Sequence, residues 1–207
     1  GAQKTADVVN KFWRKAVDIL SDEPVLNGVL MRGISARPNI PTLQDRFKLD
    51  SAAIATYPMY RGLASLVGMD LLDTGMTTKE EFETYLERYD DYTFFFIHVK
   101  GTDEAGEDGD MERKVAEMED FDAALPVLLE KKPDVLAITG DHSTPCTMKH
   151  HSWHPVPLMV HSDRCGADGK RRFTEENCNS GSLGIFESRY LMNILLGNAA
   201  KLDKFGA

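Results

Sequence analysis

Apolar positions along this chain switch repeatedly between helical and extended spacing. Val9, Phe12, Trp13, Ala16 and Leu20 recur at helical intervals near the start. Short apolar runs over 27–32 and 51–57 read as strands, the second leading into a helix that ends near Leu66. Thr77 or Thr78 can cap a further helix, with Glu80 or Glu81 three residues on to close a capping box, and that helix ends near Tyr89. Phe94-Phe95-Phe96-Ile97-His98-Val99-Lys100 is an apolar run of strand length. Over 110–131, Val115, Met118, Phe121, Ala124, Leu125 and Leu128 form one stripe of a long helix. Pro133 restarts extended structure, so 134–139 and 156–161 read as strands and 189–196 as a last helix. Strands without a polar face, alternating with helices, predict an α/β fold: a mostly parallel sheet flanked by helices on both faces.

Two of these strands end in groups that suit chemistry. The 134–139 strand runs into Gly140-Asp141-His142-Ser143-Thr144-Pro145, and His151-Ser152-Trp153-His154-Pro155-Val156-Pro157 follows. In open α/β sheets, ligands collect at the carboxyl ends of strands. Carboxylate oxygen beside imidazole nitrogen suits zinc, manganese and similar divalent ions. The 94–100 strand ends in Gly101-Thr102-Asp103-Glu104-Ala105-Gly106-Glu107, so Asp103 should project at the same sheet edge as Asp141. Between Asp103 and Asp122 stand ten acidic and two basic residues. Glu112, Glu117 and Glu119 read as a solvated face whose first-turn charges complement a helix dipole.

Other residues have plainer readings. His150 and His154 read as exposed loop histidines flanking His151, with an outer partner of the site as the alternative. His161 lies in an apolar strand and reads as a core histidine, whereas His98 could orient a ligand. Trp153 either walls the site or is an exposed loop aromatic. Met59 and Met69 read as core filling.

Taken together, His98-Val99-Lys100-Gly101-Thr102-Asp103-Glu104-Ala105-Gly106, Thr139-Gly140-Asp141-His142-Ser143-Thr144-Pro145-Cys146 and His151-Ser152-x-x-Pro155-Val156-Pro157 resemble cofactor-independent phosphoglycerate mutase of the archaeal type, in the alkaline phosphatase superfamily. Leu30-Met31-Arg32-Gly33, Tyr57-Pro58-Met59-Tyr60-Arg61-Gly62-Leu63-Ala64 and Val67-Gly68-Met69-Asp70 extend the likeness over nearly the whole chain. The resemblance implies interconversion of 3- and 2-phosphoglycerate through a phosphorylated Ser or Thr. It also implies two divalent ions (Mn, Zn, Co or Mg) about 4 Å apart. Asp141 and His142 match ligands of one ion; Asp103, position 107 and His151 match ligands of the other. Arg32 and Arg61 match positions near the substrate phosphate, where a guanidinium fork suits phosphate, although a surface salt bridge fits either residue almost as well. Lys100, at the end of its strand beside Asp103, reads as a charge partner or a substrate phosphate contact.

The chain departs from that family in two respects. It has no match to the segment carrying the metal-binding Asp and the nucleophile, so it reads as the C-terminal half of a longer enzyme, whose missing half is its partner. Residues 1–45 then read as a remnant of the substrate-cap domain and 46–207 as part of the phosphatase-like catalytic domain, with the boundary near 38–50. Glu107, moreover, stands where the family has His; it can ligate through oxygen but favours harder ions. On this reading the fragment is catalytically silent, and without metal its converging carboxylates repel and leave 102–110 mobile. A phosphatase or phosphopentomutase of the same superfamily, or a degenerate non-catalytic homologue, is the alternative.

Composition narrows the class. The net charge of −9 argues against nucleic acid and anionic membranes as partners. No apolar run approaches the roughly 20 residues that cross a bilayer, and Lys4, Asp7 and Lys11 interrupt any signal-like core. Cys146, Cys165 and Cys178 are odd in number and lack paired spacing, which points to a reducing, cytoplasmic setting.

Overall fold

The structure, a computed structural model, describes residues 1–203 and divides into two compact units, the first Gly1–Asn39 and the second from Ile40 onward. The first unit carries helix α1 (Ala2–Ile19), on which Trp13 Nε1 donates to the Val29 carbonyl at 3.0 Å. The strand expected over 27–32 does not form. Among the described residues of this unit it has no partner strand, and Leu30 is fully exposed. An apolar run without a ladder has nothing to hold it extended.

The second unit contains α2 (Leu43–Phe47), β1 (Ser51–Ala55), α3 (Pro58–Leu66), β2 (Asp70–Leu72), α4 (Thr78–Arg88), β3 (Phe94–His98), α5 (Gly101–Asp108), α6 (Met111–Leu128), β4 (Val135–Thr139), β5 (Leu158–Ser162), α7 (Glu175–Asn179) and α8 (Leu191–Asn198). β1 lies between β2 and β3, parallel to both, with Ala53 opposite Leu71 and Phe96. All five β1 residues are buried because helices cover both faces of this sheet. On one face Ala52 and Ile54 meet Leu72, Phe82, Tyr85, Ala124 and Leu128; on the other, Ala53 meets Ala64 and Met69. Small residues on β1 let the helices approach. Burying a side chain such as Ile54 or Phe82 stabilises the fold by about 1.5–3 kcal/mol.

The capping box closes as Thr77–Glu80 at the start of α4, and Pro58 occupies the first turn of α3, where its missing N–H costs nothing. The stripe on α6 is buried only toward its C-terminal end. Ala124 and Leu128 are core and Phe121 meets Phe82 edge to face at 5.6 Å, but Val115 and Met118 are exposed.

Three further expectations are corrected. β5 runs antiparallel to β4, Ala137 opposite Val160, as a separate two-stranded ladder beside the parallel sheet. His161 is exposed, because it falls on the outward phase of β5 while Ser162 is buried. Met59 is exposed as well, whereas Met69 is core. Among the described residues no helix is long and apolar enough to cross a membrane.

Candidate metal centre

The segment expected to be a mobile acidic loop is helix α5, and the reason is charge compensation. Lys100 pairs with Asp103, and Arg113 on α6 reaches Glu104 at 3.1 Å and Asp108 at 3.0 Å. Gly109, at φ 76°, ends the helix in the left-handed conformation that glycine tolerates best. α5 begins three residues after β3 ends, which places Asp103 on its first turn at the sheet edge.

The turn after β4 is pressed against this helix. A Cβ at Gly106 would lie 2.3 Å from the Thr144 carbonyl oxygen, so only glycine permits the approach. Lys114 Nζ donates to the same carbonyl at 2.6 Å. A bridge between Ser143 and Ser152, with the Ser152 N–H donating to the Ser143 carbonyl at 2.8 Å, then folds the next loop back. That fold-back stacks the His151 ring on His142, centroids 3.7 Å apart.

The result is a cluster of carboxylates and imidazoles. One ligand atom each from Asp103, His142 and His151 lie within 4.8 Å of one another. Asp103 Oδ1 stands 3.8 Å from His142 Nδ1 and 3.6 Å from His151 Nε2. Asp141 lies outside this close trio, on the far side of His142, with Oδ2 3.5 Å from His142 Nε2. Glu107 Oε1 is 3.4 Å from His151 Nε2. Asp103, Glu107, Asp141, His142 and His151 therefore converge, and their oxygen and nitrogen donors fit a borderline divalent ion.

Neighbouring groups keep the two aspartates charged. Burial alone would raise both carboxyls, yet hydrogen bonds from Lys100 and Thr144 hold Asp103 below its ordinary range. Tyr60 and the nearby His142 do the same for Asp141. The Tyr60 hydroxyl donates to Asp141, and its ring stacks on His98 at 3.6 Å. Burial first, then Asp141, pushes the Tyr60 phenol above its ordinary range. His98 is held down chiefly by burial, and its Nδ1 is buried without a partner among the described residues.

The three candidate phosphate contacts separate. Lys100 belongs to the cluster: it pairs with Asp103 and lies 4.9 Å from the Tyr57 ring centre. Arg61 spends its guanidinium elsewhere, on the Ala55 carbonyl at 3.2 Å, the Leu72 carbonyl at 3.0 Å and Asp73 at 3.0 Å. Arg32 is an exposed residue of the first unit. His150 bonds the neighbouring His151 carbonyl, His154 bonds Ser152, and Trp153 is 81% exposed, so this loop presents only His151 to the cluster.

Two participants were not singled out from sequence. Tyr60 stands inside the Tyr57-Pro58-Met59-Tyr60 motif, but its reach to Asp141 depends on how α3 meets the β4 turn. Thr144 follows the Asp-His pair by two residues; nothing in its spacing distinguishes a buried hub from a loop hydroxyl.

Helices cover a parallel sheet, and acidic and histidine groups gather beyond β3 of that sheet and β4 of the neighbouring ladder, which defines an α/β protein with a candidate metal centre. The chain belongs to the metalloenzyme superfamily, whose profile matches residues 19–198. Along its full length it is 52% identical to a probable 2,3-bisphosphoglycerate-independent phosphoglycerate mutase of Aquifex aeolicus, spanning 51% of that protein. It is 49% identical to a protein of the same description from Thermus thermophilus, of which it spans 52%. The chain thus spans about half the length of the curated relatives it matches, corresponding to their C-terminal half. Among solved structures, a Pyrococcus horikoshii protein superposes with a TM-score of 0.83 at 28% identity, over 99% of this chain and 59% of that one. The cofactor-independent phosphoglycerate mutase of Thermoplasma acidophilum gives 0.64 at 26% identity, over 95% and 52%.

Proposed function

We propose that the whole protein interconverts 3-phosphoglycerate and 2-phosphoglycerate without added bisphosphoglycerate, by phosphoryl transfer through a phosphorylated Ser or Thr. The observation that carries this reading is the convergence of Asp103, Asp141, His142 and His151 in a chain similar to mutases so described. Bound divalent ions would supply Lewis acidity and balance phosphoryl charge.

The residues of this chain contribute donors and order. Asp141 with His142 would hold one ion; Asp103 and His151, with Glu107 beside them, would hold the other. Lys100 can neutralise Asp103 or reach a substrate oxygen, and Tyr60 fixes the Asp141 carboxylate. Splitting one transfer into two steps is the advantage of a covalent intermediate. We place its nucleophile in the part of the relatives' length that this chain does not span. Thr144 is a poor candidate, being 5% exposed with its hydroxyl already donated to Asp103. The remaining half of the protein is thus the functional partner, a phosphorylated three-carbon acid the substrate, and cytoplasm the expected setting. Residues 1–45 are taken as part of the substrate cap and 46–207 as part of the catalytic domain.

The test is a coupled enolase assay on full-length protein loaded with manganese. Expected is 2-phosphoglycerate formation without bisphosphoglycerate; phosphate release in its place would assign a phosphatase. Asp141→Ala should lower both turnover and bound metal, by more than the roughly 10- to 100-fold typical of losing an outer partner. Unchanged metal stoichiometry would remove Asp141 from the ligand set.

A further inference from the structure

The Thr144 hydroxyl stands between two groups of the cluster, and its single proton settles how they are joined. Thr144 Oγ1 is 2.6 Å from Asp103 Oδ1 and 3.0 Å from His142 Nδ1. Asp103 is paired with Lys100, so its carboxylate is ionised and accepts only. The hydroxyl has one hydrogen, and the 2.6 Å contact to a carboxylate takes it. What remains on Oγ1 is lone pairs, so the neighbouring His142 Nδ1 must be the donor. The backbone gives Thr144 little freedom to choose otherwise, since Gly106 and Lys114 hold its carbonyl from α5 and α6.

We propose that Thr144 is a positioning residue that fixes neutral His142 in the Nδ1–H form, leaving Nε2, on the Asp141 side, as its only ligating atom. This rests on the metal-site reading above and deepens it by assigning donor atoms. Because Nδ1 faces Asp103 but is occupied by its proton, the close trio Asp103, His142 and His151 is not one three-ligand site. His142 belongs with Asp141, 3.5 Å from its Nε2, while Asp103 is left to His151 and Glu107. Thr144 ties the two halves together through one hydrogen-bond chain, Nδ1–H to Oγ1 to Asp103. A histidine ligand's outer partner commonly sets its tautomer in this way.

The tautomer can be read without metal or turnover. In the chain labelled with ¹⁵N on histidine, long-range ¹H–¹⁵N correlation would be recorded about two pH units above the ordinary imidazole pKa of about 6.5. Expected is a protonated Nδ1 and bare Nε2 for His142 in the unaltered chain. Thr144→Ser should keep that pattern, and Thr144→Val, which preserves shape but removes the hydroxyl, should lose it. Titration with manganese should then show Thr144→Val weaker by roughly 10- to 100-fold and Thr144→Ser close to the parent. An Nε2–H pattern in the unaltered chain overturns the proposal even if Thr144→Val does not fold. An unchanged pattern in folded Thr144→Val also overturns it. Correct tautomers with no manganese binding by the full-length protein in any variant would leave the inference standing and sink the metal-site reading instead.

Discussion

Glu81 is a buried carboxyl that the function does not use, and its cost is readable in pH. It is 3% exposed on α4, with Oε2 lacking a partner among the described residues, and burial pushes its pKa up to about 7. An unfolded glutamate titrates near 4.3, so the folded state binds the proton more tightly. The stabilisation from the neutral form is complete below about pH 4.3 and is lost as pH rises through about 7, on the order of 1–3 kcal/mol across that window. Glu81→Gln should flatten this slope, measured as urea midpoints at several values from pH 4.5 to 8; an unchanged slope would assign it to other groups. At this scale the sequence was informative about which groups gather at strand ends and poor where the outcome depended on phase. The meeting of Asp141-His142 with Asp103 was legible because each comes within a few residues of the end of an apolar strand. His161 and Met59 were misread, since one position of β-strand phase or helix rotation separates core from surface. Glu81 was read only as the alternative partner of a capping box that Glu80 closes, and nothing in an ordinary acidic first turn marks its burial.

Among elements, Arg61 illustrates how a local role can displace a functional one. Its guanidinium joins the carbonyls that end β1 and β2, binding two parallel strands at their carboxyl ends. Arg61→Lys keeps the charge but cannot span both carbonyls and Asp73. It should lower stability by about 1–2 kcal/mol, read as the urea midpoint of metal-free protein; a loss of substrate affinity with no change in midpoint would restore the phosphate role. The elements that sequence revealed were those with long periodic signals or explicit caps, such as α4 behind Thr77 and Glu80. β2 has three residues, too few to show a period, and α2 and α7 have five each. α5 was hidden by its acidity, because the compensating Arg113 and Lys100 lie outside it. The 27–32 run shows the converse: apolar sequence supplies strand propensity, but pairing decides.

For the whole molecule, the chain gathers Asp103, His142 and His151 in a group that could hold a metal ion but spans about half the length of the relatives it matches. The prediction is that these 207 residues show no mutase turnover alone and bind divalent metal weakly. Asp141 and His142 present one carboxylate and one imidazole nitrogen, short of the four donors a closed structural site uses. Asp103 and His151 have Glu107 as third neighbour, 3.4 Å from His151 and half exposed. A carboxylate there adds repulsion to the Asp103 side, whereas imidazole would add a neutral donor better matched to zinc or manganese. Glu107→His should therefore strengthen manganese binding by roughly tenfold, the lower end of what a supporting ligand change is worth, while leaving turnover absent. Titration calorimetry of both chains, with a coupled mutase assay beside it, decides both points. Equal affinity would clear Glu107 of any part in the weakness, and turnover by the unaltered chain would mean that its own residues complete the site.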